Sequence, residues 1–298
     1  GNAKVSGKGR VEVLLKSNLT SDEITYEVKG TAKEFSSRVI NPDFIISNGT
    51  LDFFADKKGL EIKGNAKVKD LPIQAKLLGS LAKEEPKFLE IDFSLSEKVL
   101  EMLPDGFPEI KISGSAPAKL YLKFLESKKV EFDLVSDLKG VELSYLPIGW
   151  VKEMNGEAEL KVSGSVGNEF VLNNVSLTSP SLAFVGSAVQ QKDEKFMFNF
   201  EKLALEDVFD IQLIIEKNGT LEVTGGELDM QEFIKLPLIR NSSKKSTPIT
   251  IYLDELKLYE EQVVTRFTAA LEATGKGKFS GSLNDLASFD GVLEKGEE

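Results

Sequence analysis

Apolar and polar residues alternate one by one along most of the chain. In "KLYLKF", Leu120, Leu122 and Phe124 fall on one side and Lys119, Tyr121 and Lys123 on the other. "EAELKVSG" sets Ala158, Leu160 and Val162 against Glu157, Glu159 and Lys161, and "KFMFNFEKLAL" aligns Phe196, Phe198 and Phe200. Further on, "DIQLIIEKNGTLEVTGGELD" carries Ile211, Leu213 and Ile215, then Leu221 and Val223. A period of two marks a β-strand, because successive side chains point to opposite faces of the sheet. Asn218–Gly219 lies between two such runs, where a pair tolerant of positive φ closes a hairpin. The same pair at Asn48–Gly49, before Leu51 and Phe53, predicts a second hairpin. The pattern as a whole predicts an all-β fold.

Helical signals are few. "SEKVLEMLP" (Ser96 to Pro104) groups Val99, Leu100 and Leu103 and stops at proline, which predicts about two turns of helix. "LDMQEFIKLP" offers Asp229 as an N-cap and Pro237 as a stop. "NDLASF", from Asn284, predicts a third short helix. Pieces this short cover ends or edges of a sheet and do not form a layer.

One tetrapeptide recurs: Lys or Glu, a β-favouring residue, then Ser, Thr or Lys, then Gly. It stands at Lys4–Gly7, Glu27–Gly30, Glu61–Gly64, Lys111–Gly114, Lys161–Gly164, Glu222–Gly225 and Lys278–Gly281. The copy at Glu27–Gly30 apart, the glycines follow one another at 57, 50, 50, 61 and 56 residues, which predicts a stack of similar antiparallel units. A glycine there is expected to end or bend its strand. No compositional break divides the chain. Residues 1–298 therefore read as one elongated segment, with an internal loop at 240–248 ("NSSKKSTP" after Arg240). Opening on "GNAKVSG" and closing on "EKGEE", the segment reads as cut from a longer protein.

Composition then removes whole classes of function. There is no cysteine and no histidine, so thiol nucleophiles, Cys-ligated zinc and every Ser-His-Asp or Cys-His arrangement are excluded. No enzyme activity is expected. The net charge of −11 opposes nucleic acid and broad adhesion to anionic membranes. No apolar run reaches the roughly 18 residues of a membrane-spanning helix.

A long antiparallel sheet with one apolar face must fold over on itself or offer that face to something else. The chain holds nineteen Phe against one Trp and five Tyr, and Phe, lacking a polar handle, suits a dry surface throughout. Residues placed on the inward face are Leu51, Phe53, Leu120, Leu122, Phe124, Leu160, Val162, Phe184, Phe196, Phe198, Ile211, Leu213, Leu221 and Val223.

Four stretches, "SLSEKVLEMLPDGFPEIKISGSAPAKLYL", "NNVSLTSPSLAFVGSA", "GTLEVTGGELDM" and "PITIYLDELKL", share a rhythm. A Leu-Pro helix end precedes a Gly-centred strand. An S-L-x-F-x-G strand follows, then a G-G-x-L-D turn into a short helix, then a D-x-L strand. From about Phe107 to Gly281 the chain in this respect resembles the C-terminal region of the AsmA-like family, in its YhdP and TamB types. The resemblance implies a repeating β-groove, taco-shaped in section, on a protein anchored in the inner membrane of a diderm bacterium. It also implies carriage of phospholipid across the periplasm to the outer membrane, with an outer-membrane or periplasmic protein as a further partner. The membrane anchor itself is not in this segment.

"GKGKFSG" (Gly275 to Gly281) matches neither a dinucleotide fingerprint nor a P-loop and reads as a repeat glycine. The sequons at Asn18, Asn48, Asn174, Asn218 and Asn241 read as turn chemistry. The acidic pairs Glu206–Asp207 and Glu260–Glu261 are candidate glycosidase carboxylates, but charged strand ends explain them more simply. The lone Trp150, in "PIGW", either packs against the sheet or meets a lipid headgroup. The expected protein is a long, highly curved antiparallel sheet with two or three short helices, whose apolar groove holds the acyl chains of phospholipid and needs no cofactor or metal. The alternative is a closed β-solenoid, a structural or adhesin-like module that binds protein along an edge.

Overall fold

The computed structural model describes residues 5–17, 24–41, 44–80, 86–102, 110–125, 129–191, 196–237, 247–259, 261–274 and 276–294. Among them the chain is all-β, mostly antiparallel, with two short helices. The elements are β1 (Val5–Ser17), β2 (Ile24–Asn41), β3 (Phe44–Asp56), β4 (Gly59–Val68), β5 (Leu71–Gly79), β6 (Lys87–Leu95), α1 (Glu97–Leu100), β7 (Lys111–Gly114), β8 (Ala116–Phe124), β9 (Val130–Ser136), β10 (Val141–Tyr145), β11 (Trp150–Lys152), β12 (Glu159–Val166), β13 (Glu169–Thr178), β14 (Leu182–Gln191), β15 (Met197–Leu205), β16 (Phe209–Ile215), β17 (Leu221–Asp229), α2 (Met230–Phe233), β18 (Ile249–Tyr259), β19 (Gln262–Leu271), β20 (Gly277–Leu283) and β21 (Ala287–Leu293). The chain divides into two compact units, 1–102 with 115–138 and 165–167, and 103–114 with 139–164 and 168–298.

In the first unit β1 to β6, β8 and β9 form a meander, each strand antiparallel to the one before it. Its register lines up whole rows. Val11, Gly30, Phe53, Ile62, Leu77, Leu89, Leu122 and Phe132 lie opposite one another, strand after strand. On the other face run Arg10, Thr31, Asp52, Lys63, Lys76, Glu90, Tyr121 and Asp133. Alternation within each strand has become segregation across eight.

The second unit repeats the arrangement in β13 to β21. One row is Val175, Gly186, Phe200, Leu213, Val223, Ile251, Ala269, Phe279 and Gly291. Its neighbour is Leu172, Ala188, Phe198, Ile215, Leu221, Ile249, Leu271, Gly277 and Leu293. Here β17 and β18 pair in parallel, so the chain between them must cross from one strand end to the other. The helix α2 begins that crossing; Asp229 caps it, its carboxylate accepting from the Gln231 and Glu232 N–H groups at 2.9 and 3.2 Å. Most of the predicted loop 240–248 lies outside the described residues. A separate three-stranded sheet, β7–β10–β11, belongs to this unit.

Each unit seals part of its apolar face beside its helix. In the first, Ala66, Leu71 and Ile73 are buried, with Val99 and Met102 from the α1 turn packed on them. In the second, Leu253, Leu256 and Val264 are buried with Met230 of α2 against them.

Four expectations need correction. Asn48–Gly49 is no hairpin. Asn48 does take positive φ (51°), but inside β3, at a register shift between Ser47 and Thr50, so the pair makes a bulge. "NDLASF" is no helix: Asn284 and Asp285 both have positive φ and turn β20 into β21. The helix predicted over Ser96–Pro104 is a single turn, Glu97–Leu100, within its described part. Finally, of the two roles expected of the recurrent glycine, ending a strand holds only at Gly114; Gly7, Gly30, Gly64, Gly164, Gly225 and Gly281 all lie within strands, where register shifts beside Gly7, Gly225 and Gly281 bear out the bending role.

The reason for glycine is clearest at Gly30, where a Cβ would collide with the ring of the opposing Phe53. The ring lies down over the bare backbone. Gly281 stands opposite Phe289 in the same manner, as do Gly186 with Phe200 and Gly291 with Phe279, two pairs outside the tetrapeptide. A small residue facing a large one keeps the row close-packed while the sheet twists.

Candidate functional site

The candidate site is the apolar face of the sheets. Leu51, Phe53, Leu120, Leu122 and Phe124 share it in the first unit, each opposite other residues of that face. Phe184, Phe198, Ile211, Leu213, Leu221 and Val223 share it in the second. All eleven are half-buried. Leu160 and Val162, in β12, are half-buried too, while their neighbours Glu159 and Lys161 are exposed and ion-paired at 2.7 Å.

Phe196 differs. It is buried, stacks on Phe198 with ring centroids 5.5 Å apart and meets Phe170 edge-on at 5.9 Å. Phe200 continues the stack from Phe198 at 6.0 Å, and Phe184 abuts Phe200 edge-on. Offset and edge-on contacts of this kind add about 0.5–1.5 kcal/mol to burial. The same period-two reading, applied to "KFLEIDFSL" and "GKFSG", would have added Leu89, Ile91, Phe93 and Phe279.

The opposite face is ionic. Lys119 donates to Asp92 at 2.7 Å and to Glu90 at 3.1 Å, and Lys123 meets Glu131 at 3.1 Å. The carboxylates of Asp92 and Glu90, bonded to the Lys119 ammonium, hold its pKa above the ordinary lysine value, against a smaller desolvation effect. Lys202–Asp210 and Lys257–Glu227 continue the pattern in the second unit. These two pairs edge a concavity of about 720 Å³ that also takes in Glu206, Asp207, Asp229 and Glu232. Its charged lining is wrong for hydrocarbon.

Other sequence candidates resolve as structure. Trp150 is buried, its Nε1 donating to Ser181 Oγ at 3.1 Å. Glu206 and Asp207 lie in the turn between β15 and β16; Glu261 is exposed before β19, and Glu260 falls outside the described residues. Asn218 turns β16 into β17, its side-chain oxygen accepting from the Thr220 N–H at 2.8 Å. The sequons at Asn18 and Asn241 lie outside the described residues, as does Gly275.

One contact was not legible beforehand. The Gly226 N–H donates to Asp254 Oδ2 at 2.9 Å, joining the G-G-x-L-D and D-x-L stretches across the parallel pair. Register is interrupted there between Val223↔Ile251 and Glu227↔Glu255, so the carboxylate takes a donor near the gap in the ladder. No family model, curated protein or solved structure matches the chain.

Proposed function

We propose that the apolar face is a groove for the acyl chains of phospholipid, with headgroups left in water at its open side. The observation that carries this reading is the half-burial of most of a row-ordered apolar face, nine strands wide in the second unit, in which Leu172, Ala188 and Ala269 are sealed but Phe198, Phe200, Leu213, Leu221 and Val223 are not. A core closed by its own side chains would bury the wide rows as thoroughly as Leu253 or Val264. A methylene entering such a face gains about 0.8 kcal/mol, and the gain is nearly the same at each successive row. Two chains would thus be held firmly yet slide from strand to strand. Burial replaces chemistry, and the protein acts as a carrier and not as an enzyme.

The resemblance to the AsmA-like family supports the same reading and supplies its setting: a periplasmic part of an inner-membrane-anchored protein in a diderm bacterium, passing phospholipid towards the outer membrane. The test is organic extraction of protein purified from a bacterium, followed by lipid analysis and by uptake of a fluorescent phospholipid. Phospholipid in the extract and saturable uptake are expected. Lipid-free protein that also refuses the fluorescent lipid would overturn the groove in favour of the closed, protein-binding solenoid.

A further inference from the structure

One charge interrupts the apolar face of the first unit. Across β4, β5, β6, β8 and β9, whose ladders run without a register shift, the side chains on that face are hydrocarbon, apart from glycine, Ser136 and Lys87. Lys87 opens β6 and shares the parity of Leu89, Ile91 and Phe93. It stands opposite Phe124 of β8, and its stem lies across Gly79 of β5, where a Cβ would come within 3.0 Å of Lys87 Cγ and 3.7 Å of its Cδ. The residue is exposed. A lysine so placed lays its methylenes on the apolar floor and keeps its ammonium in water.

Two ordinary reasons for a charge on such a face do not apply. Inward-pointing charges protect the edges of sheets, but β6 is paired along both sides, with β5 and β8. Ion pairing holds lysines of the opposite face: Lys76 meets Glu61 at 3.9 Å, Lys119 meets Asp92 and Lys123 meets Glu131. No ion pair among the described residues engages Lys87. Its position along the strand is equally specific. The turn of α1 seals the far end of the face over Leu71 and Ile73, and Lys87 stands at the end left open. At about 3.3 Å per residue, β6 runs on the order of 20 Å from Lys87 to Phe93, the partner of Ile73. An acyl chain that spans one leaflet, half of a roughly 30 Å hydrocarbon core, needs about 15 Å. A chain laid along the strands from Lys87 therefore fits on the floor before the sealed end, with its headgroup at the ammonium.

We infer that Lys87 is the headgroup contact of the first unit, its ammonium donating to the phosphodiester oxygens of a phospholipid whose acyl chains lie over Leu89 and Leu122 towards Ile73. The inference rests on the lipid reading above and adds a source of selectivity to it. Lys87 raises the affinity for a lipid that bears a phosphate over one with the same chains that lacks it. A single exposed ammonium makes no cage for a free anion, so the chains supply the affinity and Lys87 the selection.

Two fluorescent lipids with identical acyl chains test it: phosphatidylglycerol, which carries the phosphodiester, and diacylglycerol, which does not. Both are titrated against the parent, K87Q, K87E and K76Q, the last a control on the opposite face. K87Q should weaken phosphatidylglycerol binding about three- to fivefold and K87E about tenfold or more. Diacylglycerol binding should be unchanged in both, and K76Q should match the parent with either lipid. Raising the salt concentration should shrink the difference between the parent and K87Q. Position 87 is exposed, so circular dichroism and melting should not change. Inorganic phosphate should not compete with the lipid. Equal phosphatidylglycerol binding by the parent and K87E, equal losses for both lipids, an equal loss in K76Q, or displacement by inorganic phosphate would each overturn the inference and leave the groove standing. A parent that binds neither lipid would overturn the groove itself, and the inference with it.

Discussion

Replacing Leu122 by aspartate separates an open face from a sealed one. Leu122 is half-buried, between Leu89 on β6 and Phe132 on β9. Full burial of a leucine side chain gives about 1.5–3 kcal/mol, so half-burial gives about 1 kcal/mol. Two cross-strand contacts add about 0.2–1 kcal/mol each. If water reaches the face when lipid is absent, the new carboxylate hydrates and no further cost arises. Leu122→Asp should then cost about 2 kcal/mol, or roughly 4–8 °C in melting temperature for a domain of this size. Leu253, 1% exposed between Leu256 and Val264, provides the contrast. An unpaired charge there costs about 3–5 kcal/mol on top of the lost packing, a sum comparable to the whole stability of a domain. Leu253→Asp should therefore fail to fold its unit.

Asn199, exposed and one position from Phe198, is the surface control: Asn199→Asp should stay within about 0.5 kcal/mol of the parent. Thermal melts report stability, and extraction with lipid analysis reports loading. Leu122→Asp should fold and lose most of its lipid, while Asn199→Asp keeps both fold and lipid. Collapse of Leu122→Asp to the level of Leu253→Asp would refute the open face; full lipid loading in Leu122→Asp would refute the assignment of that row to the lipid.

Three further outcomes are expected. Asp229→Ala removes the cap of α2 and should lower stability by about 1 kcal/mol in a denaturant titration. Gly226→Ala should cost clearly more than Gly219→Ala: both residues have positive φ, but a Cβ on Gly226 collides with the Asp210 carbonyl whereas Gly219 has open space around it. For Lys119 the folded pKa lies above the unfolded one, so its stabilisation is complete below the unfolded value of about 10.4 and fades as the pH rises through the folded value. The stability gap between the parent and Lys119→Met, measured by urea titration, should stay constant from pH 7 to 10 and narrow only in stronger alkali; a gap that already closes near neutrality would exclude the Asp92 and Glu90 bonds as its cause.

Much of the architecture was legible in the order of residues. Period two in "KLYLKF" and "KFMFNFEKLAL" states which side chains share a face, because that is a property of a single extended strand and needs no partner. The cap at Asp229 and the hairpin at Asn218–Gly219 were equally local, each closed by hydrogen bonds within a few residues. Absence of His and Cys excluded thiol nucleophiles and histidine-dependent triads before any fold was known.

What the chain could not state by itself was register. A strand tolerates a bulge wherever its neighbours supply the compensating shift, so Asn48–Gly49 became a bulge held between β2 and β4 although its residues suit a hairpin equally well. The tetrapeptide glycines look like strand ends in sequence; only the cross-strand partner reveals that Gly30 and Gly281 are there to admit a phenylalanine ring. The parallel pairing of β17 with β18, and with it the bond from Gly226 to Asp254, depends on where a crossing chain returns. Burial is decided last and least locally. Leu122 and Leu253 stand in equally apolar runs, but the second is sealed because Leu256, Val264 and the start of α2 close over it, and that closure exists only once the strands have met.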